Sequence, residues 1–172
     1  MATVEEGTSA ASSVEMNELL MPQHTNSLGT AFGGTIMSWI DICAGMSAQR
    51  HSRQVVVTAS MDQLDFNAPI KLGQLVNLVA CVNYVGRTSM EVGVRVEAED
   101  TLTGERFHAA SAYLTFVAID DAGRAVPVRA LAPETAEEKL RWCEAEARRT
   151  QRLTLATERK RLADEHRGGD GA

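Results

Sequence analysis

The chain has 172 residues, 44% of them hydrophobic and 23% charged, with a formal net charge of −6. That length and apolar content suit one domain with a sizeable core plus tails. The acidic balance argues against a general nucleic-acid surface and against an anionic membrane, because both demand a basic face.

Met1 to Ser13, MATVEEGTSAASS, is small, polar and without periodicity, and is expected to remain without structure. It lacks the basic start, apolar run and small-residue cleavage site of a secretion signal, so the cytoplasm is the expected compartment. Val14 to Met21 mixes Met16, Leu19 and Leu20 with Glu15, Asn17 and Glu18 and is closed by Pro22, which reads as a short strand. Thr25-Asn26-Ser27-Leu28-Gly29 follows as a turn-rich run that reaches Gly33-Gly34.

From Thr35 to Ala48 the only strongly polar side chain is Asp41, among Ile36, Met37, Trp39, Ile40, Ile42, Cys43, Ala44 and Met46. Apolar residues on the stripe and on both flanks predict a helix buried on every side. It is too short and too interrupted for a membrane span, which wants about 20 consecutive apolar residues. The two glycines before it leave backbone N–H groups uncovered, where an oxygen gaining negative charge could sit. His51, about ten residues beyond Asp41 and near 15 Å along the axis, is expected to cap the far end.

Gln54 to Phe66 is rich in Val and Thr and ends at Asn67-Ala68-Pro69, a strand followed by a turn. Leu72 to Tyr84 continues in the same style to Gly86-Arg87. Ser89 to Asp100 alternates Met90, Val92, Val94 and Val96 with Glu91, Arg95 and Glu97, the period-two mark of a half-buried strand. Thr103-Gly104 turns the chain into a last strand, Arg106 to Ile119. Strands joined by tight turns are expected to be antiparallel neighbours. The order is therefore strand, helix, four long strands, an α+β arrangement in which a sheet curls around one helix. A doubly wound fold is excluded, since alternating crossover helices are missing.

Pro133 precedes a helix start at Thr135, with Glu138 three residues on as its reciprocal capping partner. The helix begins acidic and turns basic at Arg148, Arg149, Arg152, Arg159, Lys160 and Arg161. The chain thus divides into a tail (1–13), a main domain (14–132), a helical extension (133–165) and a frayed tail (166–172). Cys43, Cys81 and Cys143 are scattered free thiols, and His24, His51, His108 and His166 are too dispersed for a metal site.

Asp41 has two readings from these residues alone: a structural carboxylate bonded to a buried partner, or a catalytic one. Asn26 is a turn residue on the same footing.

The pattern Asn26-x-x-Gly29-x-x-x-Gly33-Gly34, with Asp41 inside the following helix, resembles the hotdog-fold acyl-CoA thioesterases, more narrowly the BACH- and YciA-type cytosolic acyl-CoA hydrolases. The likeness continues through Asp65-Phe66-x-x-Pro69-Ile70-x-x-Gly73, Ser89-Met90-Glu91-Val92 and Ala109-Ala110-Ser111-Ala112. It implies a five-stranded antiparallel sheet wrapped around a central helix, with the C-terminal helix added. It also implies a homodimer paired edge to edge, often three dimers in a hexamer.

The implied activity is hydrolysis of fatty acyl-CoA to CoA and a fatty acid. No separate cofactor is needed, because coenzyme A is part of the substrate. In that family an Asn from the loop and an acidic residue from the helix meet across two subunits, which maps the catalytic pair onto Asn26 and Asp41. Gly33 and Gly34 become the oxyanion donors. Thr30 joins them at the substrate and stands where YciA-like members carry an Asp. Arg87, Thr88 and Ser89 are candidates for the pantetheine arm. Arg148 and Arg149 are candidates for the CoA phosphates, with a solvated helix face as the alternative. Two competing functions are a hotdog hydratase or dehydratase, which would place a His on the central helix, and a non-catalytic acyl-CoA-binding module.

Overall fold

The computed structural model describes residues 7–169. Its elements in chain order are α1 (Ser9–Ser12), β1 (Val14–Leu19), a 3-10 turn (Pro22–His24), α2 (Gly33–Ser52), β2 (Val55–Phe66), β3 (Leu75–Val85), β4 (Ser89–Glu99), β5 (Arg106–Ile119) and α3 (Ala136–Gly169). The five strands form one antiparallel sheet in the order β1-β3-β4-β5-β2. One face of this sheet carries α2 and the other is crossed by α3.

The strand order departs from the neighbour rule at one place. β2 does not pair with β3; it crosses to the far edge and pairs with β5. The reason lies in the connection 67–74, which folds against the entry loop rather than making a hairpin: Ala31 N–H donates to the Ile70 carbonyl and Gly73 N–H to the Leu20 carbonyl. β2 is left as a long edge with Val55 and Val57 exposed.

α2 is buried along one stripe only. Ile36, Trp39, Ile40, Cys43, Ala44, Ser47 and Ala48 recur at helical spacing and face the sheet. The opposite side leaves Met37, Ile42 and Met46 exposed, Ile42 by 51%. A helix apolar on both sides, with a sheet that covers one, is half of a larger interior. The expectation of burial on every side therefore fails for a single chain.

Alternation in β4 holds, but its second face is not open water. Glu91 is 3% exposed and is held by the Arg148 guanidinium of α3 at 2.7 and 3.1 Å, with Arg148 stacked 3.7 Å from the Tyr113 ring centroid. Arg152 is bonded to Asp62 and Thr115. The start of α3 has the expected reciprocal cap, with Glu138 N–H donating to the Thr135 hydroxyl and Thr135 N–H to the Glu138 carboxylate.

Both tails are shorter than expected. Gly7 bridges to Leu131, Ser9 and Ser12 are buried, and the Ser12 hydroxyl accepts from Val82 N–H while Ser47 donates to the Ser12 carbonyl. Hydroxyls that satisfy buried backbone groups give this small polar segment a place in the core. At the other end the helix runs through 166–169 instead of fraying from His166. Residues 1–6 and 170–172, also expected to lack structure, lie outside the described residues. No helix among those described is long and apolar enough to cross a membrane.

His51 does not cap its helix; Arg53 closes it in the left-handed region, at φ 56°. The His51 ring is fully buried, with Nε2 3.1 Å from the Arg129 carbonyl and Nδ1 without a partner among the described residues. Burial pushes its pKa below the ordinary 6.5. The unfolded chain then takes up the proton first as the pH falls, so this contribution is complete above about 6.5 and is lost below it. The urea midpoint is expected to drop between about pH 7.5 and pH 5.5 by more in the wild type than in His51→Gln. Equal drops would remove His51 from the acid response.

Candidate active site

Asp41 lies eight residues into α2, about 12 Å from its start. It is half-buried at the border between the sheet-facing stripe and the bare apolar side. Its Oδ1 accepts a 2.7 Å hydrogen bond from the Thr58 hydroxyl on β2. Oδ2 takes no bond from the described residues. A carboxylate fixed by one oxygen and open at the other is placed to work on a molecule arriving from outside the chain.

Thr58 was not singled out by its sequence context, and the backbone explains why. Strict alternation puts Val56, Thr58 and Ser60 on one face, but the register slips after Thr58. Thr58 is opposite the core residue Phe116, while Ser60 is opposite Thr115 on the other face. That bulge aims the hydroxyl at α2.

The entry loop is organised by Asn26. Its Oδ1 accepts from the Leu28 and Thr30 N–H groups at 2.9 and 3.3 Å, and its Nδ2 donates to the Thr30 hydroxyl at 3.0 Å. Asn26 and Thr30 are thus a clasp that holds the loop before the helix, with Gly29 at φ 71° completing the turn. Among the described residues no hydrogen bond joins either of them to Asp41.

The start of α2 has Phe32 as its cap residue and no side-chain cap. Thr35 and Ile36 N–H both turn back to the Phe32 carbonyl, and the Gly33 and Gly34 amides have no acceptor among the described residues. The glycines are required by what surrounds them. A Cβ at Gly34 would lie 2.5 Å from the Phe32 ring, and one at Gly33 would lie 3.6 Å from the Phe66 ring. Two free amides at a positive helix end, flanked by two aromatic rings, suit an oxygen that becomes negative.

The residues expected at coenzyme A are elsewhere in the single chain. Arg87, Thr88 and Ser89 form the β3–β4 turn, where the Arg87 carbonyl accepts from Val128 N–H and the Thr88 carbonyl from Ala118 N–H. That is the end of the sheet beside the C-terminus of α2, since β4 starts opposite Val117 and β2 starts opposite Ile119. The helix of 20 residues separates it from Gly33 by about 30 Å. Arg148 is not a free cation, being committed to Glu91 and Tyr113, and so does not fit the phosphate role. Arg149 stands over Tyr84 at 5.9 Å beside that same turn.

Comparison with known proteins agrees with this arrangement. The thioesterase superfamily profile matches residues 28–105. An uncharacterised acyl-CoA thioester hydrolase of Bacillus subtilis is 49% identical over 127 residues, which is 74% of either chain. The human cytosolic acyl coenzyme A thioester hydrolase is 34% identical over 84% of this chain, which spans only 38% of that longer protein. Among solved structures, an acyl-CoA hydrolase from Staphylococcus aureus, in complex with butyryl coenzyme A, coenzyme A and coenzyme A disulfide, superposes with a TM-score of 0.86. It is 38% identical and covers 94% of this chain and 98% of its own. Alanine mutants of that protein at an Asp, an Asn and a Thr have also been solved. An apo-hexameric acyl-CoA thioesterase superposes at 0.85, with 39% identity and 88% and 97% of the two chains covered.

Proposed function

The chain belongs to the thioesterase superfamily, as an acyl-CoA thioester hydrolase of the hotdog fold, and from that premise we propose how its residues divide the work. Asp41 activates the attacking water, Thr58 holds Asp41, and the Gly33 and Gly34 amides receive the oxyanion. Asn26 of the neighbouring subunit completes the site. The observation that carries this reading is the Thr58 hydroxyl bond to the one carboxylate of an otherwise apolar helix. The altered Asn, Asp and Thr of the S. aureus hydrolase are 15 and then 17 positions apart, the spacing of Asn26, Asp41 and Thr58 here.

In the reaction a water oxygen bonds to the thioester carbonyl carbon and its proton passes to Asp41. The carbonyl oxygen becomes negative against the helix-start amides. Collapse of that intermediate breaks the carbon–sulfur bond, and the proton goes on to the departing CoA thiolate. Aiming donors at the oxyanion supplies stabilisation that appears as the barrier is climbed.

The unit that does this is a homodimer. Pairing through the β2 edge covers the bare Met37, Ile42 and Met46 side of α2, and a two-fold axis sets the two helices antiparallel. The Arg87–Ser89 turn of one chain then approaches the α2 start of the other, which restores its role at the pantetheine arm. Arg149, next to that turn, is the remaining candidate on α3 for a CoA phosphate. Three dimers in a hexamer and a cytoplasmic location follow the hexameric and cytosolic relatives.

The direct test is incubation with an acyl-CoA and a thiol reagent, in which CoA appears with no change in acyl unsaturation. Binding without release of CoA would leave an acyl-CoA-binding module, and altered unsaturation would indicate a hydratase or dehydratase. Thr58→Val is expected to lower kcat/KM about 10- to 100-fold, the worth of a hydrogen bond to a charged group. Unchanged kcat/KM in Thr58→Val would mean that Asp41 needs no such support.

A further inference from the structure

Beside the free amides of α2 opens a cleft of about 320 Å³ whose walls are almost wholly apolar. Gly33 stands at its mouth, Phe66 and Pro69 form the sides, and Ala68 lies on the loop that rims it. Ile36 and Ile70, both nearly fully buried, close the bottom. Asn67 is the one polar side chain in the lining. Phe66 is 54% exposed where it ends β2, although a large aromatic ring left in water at the end of a strand gains nothing for the single chain.

We propose that this cleft receives the acyl chain, and that its depth sets the chain length this hydrolase accepts. The inference rests on the reading of the Gly33 and Gly34 amides as oxyanion donors, because an acyl carbonyl at those amides has its chain directed along one wall of the cleft. An apolar lining with no charged group fits a saturated chain and offers nothing to a phosphate or a carboxylate. Coenzyme A therefore leaves by the other side of the carbonyl.

The volume sets a limit. A water-sized group occupies about 30 Å³, a methylene is of comparable size, and the cleft thus holds on the order of ten of them. Each methylene that leaves water for an apolar site adds about a fourfold gain in transition-state binding. The expected profile is a rise in kcat/KM of about fourfold per carbon from acetyl-CoA upward, ending in a plateau or fall beyond about ten carbons. Ile36 and Ile70 stop the chain there.

Two substitutions move the limit in opposite directions. Ala68→Leu puts a branched side chain into the cleft from an exposed loop that can carry it, and Ile70→Val removes one methyl from the floor at a small cost in stability. In Ala68→Leu the ratio of kcat/KM for octanoyl-CoA to that for butyryl-CoA should fall by at least tenfold. In Ile70→Val the break in the profile should move outward by about one carbon. Measuring the full series with wild type and both variants, each checked for fold and oligomeric state, decides the matter. If wild type hydrolyses acyl-CoA but Ala68→Leu keeps the wild-type chain-length profile, the acyl chain lies elsewhere and the inference is overturned while the proposed reaction stands. If wild type hydrolyses no acyl-CoA of any length, the proposed reaction fails and the cleft assignment falls with it.

Discussion

Asp41→Asn should yield a folded oligomer whose turnover is about 10²–10⁴-fold below wild type, the loss that follows when general-base help is removed. Asn and Asp have nearly the same volume, so the packing of α2 does not change. The Thr58 hydroxyl can still donate to the amide oxygen, so even the 2.7 Å hydrogen bond survives. What the amide lacks is the ability to take a proton from water. A well-folded Asp41→Asn protein with near-normal turnover would take Asp41 out of the reaction. Loss of the oligomer instead would mean that the carboxylate is there to hold the two chains together, because its side of α2 is the one the single chain leaves bare. Steady-state kinetics and sizing on the same preparation separate these outcomes.

The frame of this fold is legible in the residues because its signals are local. Period two in Met90 to Val96, the turn at Thr103-Gly104 and the Thr135–Glu138 cap each specify their element without help from the rest of the chain. What was not legible depends on long-range placement. The far-edge position of β2 follows from how the 67–74 connection bonds to the entry loop, and the order of Ser9 and Ser12 follows from backbone groups of β3 and α2 that no local pattern announces. At the site, Asp41 stood out as a lone carboxylate among apolar neighbours. Its holder Thr58 is brought round by a bulge, which has no signature in a run of Val and Thr. Arg148 was misread for a related reason: a charge run looks the same whether its members face water or reach a buried Glu91 across 57 residues of chain.

The geometry of one chain also explains why a single subunit should be inactive. Asn26 belongs to the loop before α2, where both ends of its amide are engaged with Thr30 and the loop backbone, and Asp41 is about 12 Å up the helix from Gly33. One thioester carbonyl cannot contact both within the same chain. A two-fold dimer sets each loop against the other helix and forms two equivalent sites. Asn26→Ala and Asp41→Ala proteins, each inactive alone, can therefore be unfolded together and refolded into mixed dimers. In a mixed dimer one site carries both changes and the other carries neither. With random pairing half of the dimers are mixed and half of their sites are intact, so about a quarter of wild-type activity should return. Mixed dimers verified by mass but as inactive as either parent would place Asn26 and Asp41 in one subunit's site, and the shared arrangement would be wrong.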